Sequence, residues 1–155
     1  MRDILLDPHI SLNESERAAL AGKLSSIEKA CFSDPWSEKA FLEAFDNRVI
    51  RLITLYENGS LAGYALYAVI APEAELLNLA ISPEFRRRGL ATLLLDFADS
   101  HLIASGVDSV YLEVRQTNRA AEALYLGRGF EPIGIRRAYY RFPTEDAIVM
   151  ALRFD

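Results

Sequence analysis

Apolar positions fall three and four residues apart over the stretch 13–30, where Leu20, Leu24 and Ile27 form one stripe. That spacing predicts a helix buried along one side. Asn13 followed by Glu16 reads as a capping box at its start, and Asp34-Pro35 closes the segment because proline keeps its predecessor out of helical geometry. Ser37 then predicts an N-cap for SEKAFLEAF, with Phe41 and Phe45 facing inward. The period changes to two over Val49–Tyr56 and Leu61–Val69, on either side of Asn58-Gly59. This predicts a β-hairpin, since both turn residues tolerate positive φ.

A third strand is expected over Glu75–Ile81, and a helix carries Leu90, Leu93, Leu94, Phe97 and Ala98 on one face. Val110, Leu112 and Val114 alternate with Tyr111, Glu113 and Arg115 as in a half-buried strand. Asn118 opens a short helix that Gly129 ends in a left-handed cap. Two strands follow within Phe130–Phe154, joined by the polar loop RRAYYRFPTED with Pro143 as its turn former. Helices and strands interleaved in this order give one mixed α/β (α+β) domain over residues 1–155.

Composition narrows the chemistry. The net charge of −5 argues against broad electrostatic binding to nucleic acid. A single cysteine, Cys31, excludes an intrachain disulfide and is read as a packed core thiol. One cysteine and two histidines offer no metal-ligand spacing. No apolar run approaches the ~20 residues that span a bilayer. The cytoplasm is the expected compartment.

Candidate chemistry gathers in three places. The loop Pro83–Ala91 joins a strand to a helix and holds Arg86, Arg87, Arg88 and Gly89. Unpaired N–H groups at a helix start attract anions, so Arg87, Arg88 and the amides of Gly89, Leu90, Ala91 and Thr92 suit a pyrophosphate; a solvated basic turn is the other reading. Glu113 sits in an apolar strand, either facing solvent beside Tyr111 and Arg115 or serving as a general base. Tyr125 is either a core tyrosine or a proton donor. Asn118 fits an N-cap, and Trp36, Tyr139 and Tyr140 fit packing or the wall of a peptide site.

Together these segments resemble the GCN5-related N-acetyltransferase superfamily. RRRGLA (Arg86–Ala91) is similar to its pyrophosphate loop, Arg/Gln-x-x-Gly-x-Gly/Ala. DPWSEKAF, LNLAISPEFRRRGLA, YLEVRQTNRAAEALYLGRGF and RRAYYRFPTEDAIVMAL resemble the branch that acetylates the N-terminal alanine of ribosomal proteins. The likeness covers nearly all of the chain from Ser26 onward; the first twenty-five residues match poorly. It implies about four helices around a mixed sheet splayed between the fourth and fifth strands, with acetyl-CoA as co-substrate and no metal. It further implies that Leu79, Ala80 and Ile81 hold the pantetheine arm by their backbone and that Asn118 touches it. Glu113 matches the proton acceptor, Tyr125 the proton donor, and Tyr139 and Tyr140 the peptide-site tyrosines. Glu75 is a second candidate base. The acceptor implied is a protein N-terminus, with no direct nucleic acid or membrane partner. A small-molecule amine acetyltransferase or a non-catalytic acyl-CoA-binding module are the alternatives.

Overall fold

The computed structural model describes residues 1–155. Seven strands form one sheet: β1 (Arg2–Leu6), β2 (Ile50–Glu57), β3 (Ser60–Ile70), β4 (Glu73–Ile81), β5 (Ser109–Arg115), β6 (Glu131–Tyr140) and β7 (Glu145–Arg153). The helices are α1 (Glu14–Cys31), α2 (Glu38–Phe45), α3 (Leu90–Ala104) and α4 (Arg119–Gly127). The strand order is β1-β2-β3-β4-β5-β7-β6. Only β4 and β5 run parallel, joined by the α3 crossover.

Local chemistry accounts for most boundaries. Asn13 and Glu16 form the reciprocal capping box of α1, and Ser37 caps α2 by accepting from Ala40 N–H. Asn58 (φ 48°) and Gly59 (φ 84°) turn the β2–β3 hairpin, where positive φ at two successive residues matches the strand twist. Gly129, at φ 97°, ends α4 as the left-handed cap.

Helices cover both faces of the sheet, so β2 and β3 read as nearly continuous apolar runs. On one face α3 and α4 pack through Leu90, Leu94, Leu95, Ala98, Leu102 and Tyr125. On the other, α1 and α2 pack through Leu20, Leu24, Ile27, Phe41 and Phe45. Each such fully buried side chain contributes about 1.5–3 kcal/mol by leaving water.

The sheet opens in its middle. β4 and β5 pair only over Glu73–Leu76 against Ser109–Leu112, yet β4 continues to Ile81 and β5 to Arg115. A register shift in the β3–β4 ladder falls opposite Leu76 and Asn78. A bulge bends its strand, and here it turns the end of β4 away from β5.

One element is added and two expectations are revised. β1 was not read from the pattern, because its five residues are mostly exposed on both faces and carry no alternation. Tyr139 and Tyr140 end strand β6 instead of lying in a polar loop; the β6–β7 turn is only residues 141–144. Cys31 packs against the edge of the α1–α2 core without being buried in it. It is half-buried at the end of α1, where its thiol donates to Ile81 O (3.4 Å) and its sulfur accepts from Arg86 Nη2 (3.2 Å).

Candidate active site in the splay

The opening between β4 and β5 leads into a cleft of about 590 Å³. Its walls include Glu28, Trp36, Glu75, Asn78, Leu79, Glu113, Arg115, Asn118, Tyr125, Tyr139 and Tyr140. The cleft passes through the sheet. Val110, Leu112 and Val114 of β5 pack on the α3 side, so Tyr111, Glu113 and Arg115 face the α1–α2 side by alternation. Tyr125 belongs to the α3 side. Glu113 and Tyr125 therefore approach the opening from opposite faces.

Glu113 is not the solvent-facing residue that its polar neighbours allow. Its side chain is 13% exposed, and Arg136 Nε lies 3.5 Å from Oε1. Oε2 is buried and has no partner. A buried carboxylate oxygen without a partner is costly to hold, and the pairing of its twin fixes the side chain in place. Hydrogen bonding with the Glu113 carboxylate first, then desolvation and the Glu113 charge, raise the Tyr139 phenol above the usual tyrosine value. Glu75 is raised as well, first by desolvation in the cleft wall and then by repulsion from Glu113.

Tyr125 is buried, with its ring edge-on to Phe130 at 5.6 Å. Burial raises its phenol far above the ordinary value, so it stays protonated at neutral pH. Asn118 caps α4 by accepting from Ala121 N–H at 3.2 Å. That bond uses its carbonyl oxygen and leaves the side-chain amide as a donor on the cleft.

The arginine loop presents backbone more than side chains. Arg87 and Gly89 both have positive φ (65° and 72°), which curls successive N–H groups into a concave nest. Gly89 caps α3 with no side-chain hydrogen bond, so the first helical amides remain open. The Arg88 side chain is directed elsewhere. Its Nη1 lies 2.9 Å from Glu57 Oε2, while Arg2 Nε lies 2.6 Å from Oε1 of the same carboxylate. Neither Arg86 nor Arg87 forms an ion pair, but Arg86 is hydrogen-bonded to Ile81 O and Cys31 Sγ, whereas the Arg87 side chain makes no hydrogen bond.

On β4, the expected trio divides. Ser82 N–H donates to Ala62 O at 2.8 Å, and Ala80 stands opposite Tyr64. Alternation along an antiparallel ladder then commits Ala80 to β3 and turns Leu79 and Ile81 toward the opening. Leu79 and the N–H of Ile81 face the opening, while Ile81 O already accepts from the Cys31 thiol (3.4 Å) and Arg86 Nε (3.3 Å).

Three cleft residues escaped the sequence reading. Glu28 is 1% exposed. It accepts from Trp36 N–H (3.0 Å), Asn78 Nδ2 (3.1 Å) and the Tyr64 hydroxyl. A signal existed, since Glu28 lies four residues after Leu24 on the buried stripe. Asn78 had none, because a bulge decides which way it faces. Arg115 looked like a solvated strand residue, but its side chain is 20% exposed and joined to both adjoining loops.

Known proteins are similar to this chain in sequence and fold. A model of the acetyltransferase (GNAT) family matches residues 22–130. The [ribosomal protein bS18]-alanine N-acetyltransferase of Escherichia coli K12 is 42% identical over 130 residues, covering 81% of this chain and 86% of that protein. A putative [ribosomal protein bS18]-alanine N-acetyltransferase from Bacillus subtilis is 34% identical over 125 residues, covering 80% and 83%. The crystal structure of the Escherichia coli ribosomal-protein-S18-alanine N-acetyltransferase superposes with a TM-score of 0.84 at 36% identity, over 99% of this chain and 94% of that one. Matching sequence, matching fold and a splayed parallel pair beside an open amide nest agree: the chain belongs to the GNAT family of acetyltransferases.

Proposed function

We propose that this chain transfers the acetyl group of acetyl-CoA to the N-terminal alanine of a ribosomal protein of the bS18 type, in the cytoplasm, and that residues 1–155 act as one catalytic domain. The carrying observation is the unpartnered Glu113 Oε2 on one face of an opening whose other face offers free main-chain amides and a protonated phenol. The activity named for the 42%-identical relative supports alanine as the acceptor.

In this reading the two substrates meet through the sheet. The nest around Gly89 and the start of α3 holds the pyrophosphate, together with Arg87. Leu79 and Ile81 bind the pantetheine arm through their backbone, and Asn118 donates to it. The acceptor chain lies on the α1–α2 side against Trp36, Tyr139 and Tyr140.

An α-amine has an ordinary pKa of about 7.7–8.0, so much of it is protonated at neutral pH and cannot attack. Glu113 Oε2 takes one proton. The nitrogen lone pair adds to the thioester carbon, and a β4 backbone N–H stabilises the oxyanion. The C–S bond then breaks, and Tyr125 gives its proton to the departing thiolate. The second amine proton passes to water as the amide forms, Glu113 releases its proton to bulk solvent, and solvent reprotonates the phenol. Holding the two substrates in line supplies more of the acceleration than either proton transfer.

The test is direct. The purified protein is incubated with acetyl-CoA and a peptide beginning with alanine, and mass spectrometry locates the acetyl group. Acetylation of the α-amine is expected. A peptide left unmodified while free polyamines or amino acids are acetylated would reassign the enzyme to small amines.

A further inference from the structure

The geometry points to Arg115 as the residue that sets acceptor choice, by joining the two walls of the acceptor side into one rigid groove. This inference rests on the proposed peptide acceptor. Arg115 stands two residues past Glu113 on the same face of β5, at the end of the splayed strand. Its Nη2 donates to Arg141 O at 2.6 Å, and its Nη1 donates to Pro143 O at 3.0 Å. Nη1 also lies 3.2 Å from Glu145 Oε1. The guanidinium stacks over the Tyr140 ring at 4.6 Å. On the far side Nη2 reaches Ser33 Oγ at 3.5 Å, in the connection between α1 and α2.

Tyr140 and Arg141 line the cleft themselves, while Ser33, Pro143 and Glu145 belong to the segments that carry its walls. The α1–α2 connection supplies Asp34 and Trp36, and the β6–β7 end supplies Tyr139, Tyr140 and Arg141. The β6–β7 turn has little packing of its own, since residues 141–144 are all exposed and Phe142 is 68% exposed. Its shape depends on the fork beneath it. Glu145 extends the same joint, because its Oε2 accepts from Thr117 N–H at 2.5 Å just before Asn118. A planar guanidinium can bind two carbonyls, a carboxylate and a ring face at once; an ammonium cannot.

Arg115 makes none of the bonds of the proton-transfer steps. It is a positioning residue, and its effect should scale with how much acceptor chain touches the walls. A peptide meets both walls, whereas alaninamide presents the same amine with almost no chain. Wild-type protein and Arg115→Lys are therefore compared on an alanine-led octapeptide and on alaninamide, with acetyl-CoA titrated separately. The expected result is a fall of about tenfold in the ratio of peptide to alaninamide kcat/KM, carried mainly by peptide KM, as for loss of uniform binding. Glu145→Gln keeps the bonds of Arg115 to the two carbonyls and should shift the ratio the same way by less; it carries the test if Arg115→Lys does not fold.

An equal loss on both acceptors would make Arg115 a general structural residue and overturn the inference alone. So would an unchanged ratio, or a wild-type enzyme that does not prefer the peptide. Failure of the wild type on both acceptors would instead remove the proposed function, and the inference with it.

Discussion

Glu113 and Tyr125 differ in the kind of help that their surroundings give, and the difference predicts how their variants behave. Glu113 keeps one oxygen paired near Arg136 and the other free. Glu113→Gln removes the acceptor while keeping size and packing. Turnover should fall by about 10²–10³, in the range for loss of a general base, while acetyl-CoA affinity measured by calorimetry stays at the wild-type value. A normal turnover number would move the base role to another group, with Glu75 next in line. Tyr125→Phe keeps the ring contact with Phe130 and removes only the hydroxyl. A thiolate leaves readily without a proton, so the rate should fall by only about tenfold, with an unshifted melting temperature. A larger loss than that of Glu113→Gln would reverse the ranking of the two proton transfers. Both residues were visible as candidates in the sequence. Which face each occupied was not, because Glu113 sits among polar neighbours that equally suit a solvated strand. Arg88 shows the opposite failure. Its place in the arginine run suggested a phosphate contact, yet the side chain is drawn to Glu57 by an ion pair from a strand thirty-one residues earlier.

At the scale of elements, that ion pair links the N-terminal strand to the arginine loop. Arg2 on β1 and Arg88 before α3 share the Glu57 carboxylate at the end of β2. Arg2 first, and Arg88 with it, hold the Glu57 carboxyl below its ordinary range. A carboxyl whose folded pKa is depressed stabilises the fold above its unfolded value, about 4.3, and loses that contribution as pH falls through the lower folded value. Glu57→Gln should therefore melt below wild type at pH ~7, and the gap should close as pH falls below ~4. Thermal melts across that window decide the matter. A gap that stays constant with pH would show that the pairing contributes nothing. Elements with a local cause were legible in the chain: the capping box, the Asn58-Gly59 turn and the Gly129 cap all stand where the pattern placed them. β1 was not, because its pairing with β2 joins residues 47 to 55 apart and its own side chains carry no period.

For the molecule as a whole, the proposed function would have the splay keep the two substrates on separate faces of one sheet until the reacting atoms meet. The α3–α4 side would hold the coenzyme and the α1–α2 side the acceptor, and that division can be broken one side at a time. Asn118→Ala removes a cap from α4, costing about 1 kcal/mol of stability, and withdraws a donor from the coenzyme side. It should weaken acetyl-CoA binding and leave peptide KM near wild type at saturating coenzyme. Trp36→Ala strips the acceptor wall where the indole packs on Phe41 at 5.3 Å. It should raise peptide KM and leave acetyl-CoA affinity alone. Calorimetry for the coenzyme and steady-state kinetics for the peptide separate the two effects. If Trp36→Ala weakened acetyl-CoA as strongly as Asn118→Ala did, the faces would not be independent. The opening would then act as a single pocket, and the two-sided approach of Glu113 and Tyr125 would lose its rationale. Independence is the expected result, because hydrogen-bonded ladders flank the gap on either side, β3–β4 with one register shift and β5–β7 without. A side chain lost from one surface leaves those ladders, and the amides lining the other surface, where they were.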